Sequence, residues 1–167
     1  MRVLPVALAT LGQSPAAVSA AVQAQAHVTH NNAVSDAVCQ FLTLAVQDLL
    51  RGCSLPETLS HHLGSLLAVH PELSFRDRPR RENPSGWVVE TLQAVLQGLD
   101  DSDGFEDCLV DVVNRGGDAD TTGAIAGILA GALYGPQAIP KRWLNALDPG
   151  VASRCRAQAR SLLPVTA

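Results

Sequence analysis

The sequence predicts an all-α fold, a compact multi-helix bundle forming one domain over residues 1–167, and three observations carry that reading. Apolar residues recur at helical spacing through long segments, most clearly at Val34, Val38, Phe41, Leu42, Ala45, Val46, Leu49 and Leu50. Residues that start and stop helices sit at the ends of such segments: Ser14-Pro15, Ser54 with Pro56, and Gly52. The alternating pattern of a half-buried strand is almost absent. With 167 residues, 47% of them apolar and only 4% aromatic, the chain can bury one core built mainly of Ala, Leu and Val.

In chain order, Ser14 as N-cap and Pro15 at the first helical position open a helix that runs to about Ala26. The Val34 to Leu50 stripe is the strongest amphipathic helix and stops at Gly52. Ser54 and Pro56 open the next, which carries Leu59, Leu63, Leu66 and Leu67 and ends before Pro71. "PELSFRDRPRRENPSG" is the one long irregular segment, of the kind that often serves function. Trp87, Val88, Leu92, Val95 and Leu96 mark a helix ending near Gly98, and Asp103 with Glu106 has the spacing of a capping box for the following one. The last helices pass through Trp143-Leu144 and reach Leu162-Leu163, for about seven to nine in all.

A net charge of −4 gives no electrostatic reason to expect a nucleic-acid partner, and the dense basic cluster, Arg76 to Arg81, reads as a solvated loop. The four cysteines are scattered without a CxxC pair, which predicts reduced structural thiols in a cytoplasmic protein rather than a disulfide framework. No signal peptide and no transmembrane segment are expected.

Chemistry concentrates in "NRGGDADTTGAIAGILAGALYG", Asn114 to Gly135. Gly123, Gly127, Gly131 and Gly135 lie four apart, which bares one face of a helix to a neighbouring backbone. The apolar run from Gly123 to Tyr134 is shorter than the roughly 20 residues a bilayer requires, so a buried core helix is expected. Asp118, Asp120 and Thr121 stand on the turn entering it, and Gly116-Gly117 permits unusual backbone angles just before. Two carboxylates and a hydroxyl form a hard oxygen set suited to Mg2+, Mn2+ or Ca2+. The residues alone favour a simple helix cap by Asp120 or Thr121 with Asp118 in solvent. "DDSDGFED" fails the EF-hand template and reads as a turn and a cap, while His61, His62 and His70 read as surface residues.

"VNRGGDADTTGAIAGILAGALYG" resembles the signature of the ADP-ribosylglycohydrolase family, and "THNNAVSDAVCQFL" and "SGWVVETLQAVL" stand in the order that family has them. The likeness covers the whole chain and is strongest to the bacterial branch that regulates nitrogenase. It implies an all-α bundle around two Mg2+ or Mn2+ ions and hydrolysis of the N-glycosidic bond between ADP-ribose and a protein arginine, with dinitrogenase reductase as the modified protein and a PII-type regulator as a further partner. Carried over, Asp118, Asp120 and Thr121 match metal ligands. His30, Asn31 and Asn32 match a segment lining the ribose pocket. Trp87 stands where relatives commonly have Tyr against ADP-ribose, so its ring can stack but supplies no hydroxyl; without the resemblance it reads as core. Gly116 and Gly117 fit a close approach of backbone amides to phosphate.

The departure from the family is at the start. A Thr-Asp-Asp run that supplies the opposing metal ligands, and the acidic residue that activates water, have no match here. The chain therefore resembles roughly the C-terminal half of the family domain, with Met1 in place of an internal methionine. Three functions remain open: half of an ADP-ribosylarginine hydrolase, a non-catalytic ADP-ribose or metal-binding remnant, and a structural protein using only the scaffold.

Overall fold

Side-chain caps set three of the helix starts anticipated from sequence. In the computed structural model, which describes residues 1–163, Ser14 Oγ accepts from the Ala17 amide to open α2 (Pro15–Ala26), after a short α1 (Leu4–Ala9). Asn32 accepts from the Val34 and Ser35 amides to open α3 (Ala33–Leu50), and Ser54 forms a reciprocal capping box with Glu57 to open α4 (Leu55–Val69). The chain continues through a 3-10 turn at Pro71–Leu73 and an irregular segment into α5 (Val88–Asp100), α6 (Phe105–Asn114) and α7 (Ala119–Tyr134). A second 3-10 turn, Pro136–Ala138, leads to α8 (Lys141–Ala146) and α9 (Pro149–Leu162). Residues 164–167 of the expected domain lie outside the described residues. Among the described residues the fold is all-α, as anticipated, with nine α-helices and no strand.

The core forms where α3, α5, α6 and α7 meet. Phe41, Leu42 and Val46 of α3, Leu92, Val95 and Leu96 of α5, Val112 of α6 and Leu129 of α7 are all at most 3% exposed, each such side chain contributing about 1.5–3 kcal/mol on burial. Helix α3 is long and apolar enough to cross a membrane by length and composition, but its apolar stripe packs within this core. The short α1 carries no periodic signal and was not anticipated. It is held by Gln47 of α3, whose buried amide donates to Ala7 O at 2.9 Å and to Thr10 Oγ1 at 3.0 Å.

The glycine ladder has a definite neighbour. A Cβ added at Gly123 would lie 2.9 Å from Val113, one at Gly127 3.8 Å from Leu109, and one at Gly131 4.0 Å from Phe105. Only at Gly123 does an α6 side chain occupy the space a Cβ would need; at Gly127 and Gly131 a Cβ would make ordinary contacts, so close packing explains the cost in helix propensity at Gly123 alone. The fourth is different: Gly135, at φ +74°, is the C-cap that ends α7. Gly98 also departs from expectation. Helix α5 runs on to Asp100, and Gly98 is a packing position where a Cβ would meet Val112 at 2.3 Å.

One further sequence reading is corrected and another gains detail. Asp103 and Glu106 form no capping box; Gly104 is the N-cap of α6, and the Glu106 carboxylate is taken by Arg142. The basic segment is solvated as expected, residues 76–80 being exposed, and three of its arginines are also paired. Arg76 pairs with Asp100, Arg80 with Glu82 and Asp111, and Arg81 with Gln93 and Glu90. Gln93 and Gln97, one turn apart on α5, donate to the carbonyls of Glu72, Ser74, Phe75 and Pro79. Fully buried Arg115 closes the arrangement, donating to Gln97 Oε1 at 2.9 Å and to Asp111 Oδ2 at 3.0 Å.

This strapping delivers the segment's far end to the start of α7. The Asn83 amide donates to Arg115 O at 2.8 Å, and the Asp118 amide donates to Pro84 O at 2.7 Å. Gly116 and Gly117 lie at φ +78° and +63°, and a Cβ on Gly117 would sit 2.2 Å from Pro84 O. Gly117→Ala therefore combines left-handed strain of about 1–2 kcal/mol with a forced shift of the Asn83–Pro84 backbone of about 1–3 kcal/mol. Urea unfolding should show a loss of at least about 2 kcal/mol on those magnitudes. An unchanged midpoint would mean that the Pro84 contact does not exist in solution.

Candidate active site

Helix α7 begins with an aspartate that does not cap it. Asp118 occupies the N-cap position, yet its carboxylate accepts no helix amide; its backbone carbonyl is used instead, by the Thr122 amide at 3.0 Å and by the Thr122 hydroxyl. The side chain lies against the opposing strap, where a Cβ on Gly86 would fall 3.1 Å from Asp118 Oδ2. Asp120 follows two residues later and is exposed, with Thr121 Nα donating to its Oδ1 at 2.9 Å. The neighbouring Asp118 carboxyl, and then the Thr121 amide, hold the Asp120 carboxyl below its ordinary value.

Asp118 and Thr121 open onto a cavity of about 620 Å³ between α2, α3, α5 and α7, which Asp120 does not line; its volume is within the size range of small-molecule sites. Asp118 and Thr121 form one wall, Trp87 and Gly86 the adjoining edge, and His30, Asn32, Thr29 and Arg2 the opposite side. Ile125, Leu92 and Val38 make its apolar floor. Segments distant in sequence are thus gathered onto one space.

The individual assignments fare differently. His30 lies at the rim, exposed, with Nδ1 2.8 Å from the Thr29 hydroxyl; that hydroxyl also accepts from Arg2 at 2.5 Å. Asn32 lines the cavity, but its side-chain oxygen is committed to capping α3 at 3.0 and 3.2 Å. Asn31 is exposed and does not line the cavity. Trp87 is 57% exposed at the mouth, so it is not core. It precedes α5, where Ser85 accepts its amide at 3.3 Å and Glu90 accepts from both the Ser85 amide and hydroxyl at 2.9 and 2.6 Å. Gly116 and Gly117 do not line the cavity; their backbone is occupied with the passage of Asn83 and Pro84.

Arg2 and Thr29 were missed by sequence reasoning, because a lone arginine or threonine carries no spacing signal and only packing brings residue 2 beside residue 29 and onto the same cavity as residue 118. Cys39 also lines the cavity, but burial pushes its thiol up, as it pushes Cys108 up to about 12, so neither offers a thiolate nucleophile near neutrality. All four cysteines are free thiols, as expected.

The ADP-ribosylglycohydrolase family model matches residues 1–166. ADP-ribosyl-[dinitrogen reductase] glycohydrolase of Rhodospirillum rubrum is 44% identical over 163 residues, which are 98% of this chain and 54% of that protein. An ADP-ribosylarginine hydrolase of Serratia proteamaculans is 36% identical over 128 residues, 74% of this chain and 35% of that protein. A solved structure described as an ADP-ribosylglycohydrolase-related protein complex superposes with a TM-score of 0.76 at 31% identity, covering 95% of this chain and 56% of its own. The chain thus spans about half the length, or less, of the relatives it matches. A family match along nearly the whole sequence, together with the shared helical architecture, shows that the chain belongs to the ADP-ribosylglycohydrolase family.

Proposed function

We propose that this chain supplies one side of the active site of an ADP-ribosylarginine hydrolase, which cleaves the N-glycosidic bond between ADP-ribose and a protein arginine. The observation that carries the reading is the single cavity onto which His30, Trp87, Asp118 and Thr121 converge. The names of the Rhodospirillum and Serratia relatives support the reaction, and the former supports dinitrogenase reductase as the modified protein.

Each wall has a part in that chemistry. Trp87 presents an exposed ring to a nucleoside face, and Arg2 presents a guanidinium to a diphosphate. Asp118 and Asp120, with the Thr121 hydroxyl, fit a hard divalent cation: they are oxygen donors, and the Asp118 carboxylate is free of capping duty. Mg2+ or Mn2+ held there would supply electrostatic grip and orientation for the ribose hydroxyls. The strap through Pro84 keeps Asp118 at the cavity wall, so these residues position the sugar.

A second reading, ADP-ribose binding without cleavage, is favoured by one observation. Among the described residues, Asp118 is the only carboxylate lining the cavity. Calorimetry separates both readings from a purely structural role, in which free ADP-ribose gives no saturable heat. Mn2+ should bind the chain weakly, because three oxygen ligands leave the ion largely hydrated. Asp118→Ala combined with Asp120→Ala should remove that binding. Tight Mn2+ binding that survives the double variant would place the ion elsewhere and refute the ligand assignment.

A further inference from the structure

On the side of α3 and α4 away from the Asp118 cavity, three elements bring together side chains that the ADP-ribose chemistry does not use. Asp48 stands in the last turn of α3, Cys53 in the connection, and His61 and His62 on the second turn of α4. Histidines read as plain surface residues prove to be committed: His61 Nδ1 and His62 Nε2 each lie 2.9 Å from the same oxygen, Asp48 Oδ2. Single ligand atoms of Asp48, Cys53 and His61 lie within 4.8 Å of one another. His62 and Asp48 are largely shielded, with side chains 21% and 15% exposed, while His61 is open at 53%. His70, by contrast, makes a separate pair with Glu72 at 3.1 Å.

We propose that Asp48, Cys53, His61 and His62 form a binding site for a zinc-class transition ion. Two imidazoles, one carboxylate and one thiolate are a borderline-soft, four-donor set, the opposite of the hard oxygen set at α7. With metal–nitrogen and metal–oxygen bonds of about 2.0–2.2 Å, tetrahedral ligands stand about 3.3–3.5 Å apart. The two nitrogen–oxygen separations of 2.9 Å are already close to that spacing; His62 stands outside the three-donor group that lies within 4.8 Å and joins as fourth ligand through its contact with Asp48 Oδ2, so the set must contract around the ion. The second carboxylate oxygen of Asp48 is held by Arg51 at 3.2 Å, which leaves Oδ2 as the ligand and fixes its direction. Cys53 is placed by the left-handed Gly52, φ +92°, and its amide donates to Asp48 O at 3.1 Å. On binding, Cys53 loses its thiol proton and the imidazoles present lone pairs to the ion, so the cation replaces the N–H to carboxylate contacts and protons are released to solvent.

Metal-free full chain, kept reduced by a phosphine, is titrated with Co2+ and then with Zn2+. One equivalent of Co2+ should give tetrahedral visible bands and a thiolate-to-cobalt band, both erased by Zn2+. Cys53→Ser should abolish the thiolate band. His61→Ala should retain the band while weakening affinity by more than the about 10- to 100-fold typical of an outer-shell change; this second variant keeps the test decisive if the first does not fold. Asp118→Ala with Asp120→Ala should leave the cobalt spectrum unchanged. The proposal is overturned by the absence of saturable binding, by a thiolate band that persists in Cys53→Ser, or by loss of the spectrum in the Asp118 and Asp120 double variant.

Discussion

Presented with an ADP-ribosylated arginine substrate, the 167-residue chain is expected to release no detectable ADP-ribose by itself. The described cavity contributes one carboxylate, Asp118, with Asp120 beside it in solvent, and these are the proposed ion ligands. Neither the buried Cys39 thiol nor the rim histidine His30 replaces a carboxylate aimed at water across the sugar. Proton-transfer assistance alone is typically worth about 10²- to 10⁴-fold, roughly 3–5 kcal/mol of barrier, and loss of positioning adds to that. Co-expression with the part of the Rhodospirillum rubrum relative that this chain does not match should restore Mn2+-dependent hydrolysis. Asp120→Ala in the reconstituted pair should then abolish it. Turnover by the unaided chain would refute the division of labour. A folded, ADP-ribose-binding but inactive pair would shift the assignment to binding without cleavage.

The largest effect on stability is expected at Arg115. Its side chain is fully buried and satisfies Gln97 and Asp111, while Gln97 in turn holds the carbonyls of Phe75 and Pro79. Arg115→Met leaves the Asp111 carboxylate facing an apolar chain with only Arg80 beside it. Asp111 is 21% exposed and keeps Arg80, so the cost falls at or below the lower end of the about 3–5 kcal/mol that a fully buried pair loses with one partner. In a chain of this size about 3 kcal/mol corresponds to a fall in Tm of about 6–12 °C. Arg76→Ala is the contrasting case. It breaks the Asp100 pair at the surface, with the arginine side chain 55% exposed, and should cost at most about 1 kcal/mol. Calorimetric melting of the two variants checks the difference, and equal effects would show that the Gln97–Arg115 arrangement does not hold the segment. Because that segment ends at Pro84 and Gly86 beside Asp118, Arg115→Met should also weaken Mn2+ binding, although Arg115 touches neither cavity nor ion ligand.

What the sequence determined by itself is local. Caps and periodicity act within a few residues, so Ser14, Ser54 with Pro56, and the α3 stripe could be read directly. Asp118 and Thr121, which line the cavity, could be picked out together because they lie within one turn. Tertiary structure alone decided which signals were used and which were overridden. The Asp103–Glu106 spacing makes no box because the helix starts one residue later, with Gly104 as its N-cap, and Glu106 pairs instead with Arg142, distant in sequence. Gly98 reads as a stop and is a contact, since only the position of Val112 shows that the space is filled. Gly116 and Gly117 suggest a phosphate loop, and the close passage of Pro84 gives them another task. Arg2 joins the cavity, and Asp48 meets two histidines, through chain closures that leave no periodic mark. Spacing reports neighbours on one helix; it carries no information about which side chains the packing of different helices brings to the same point.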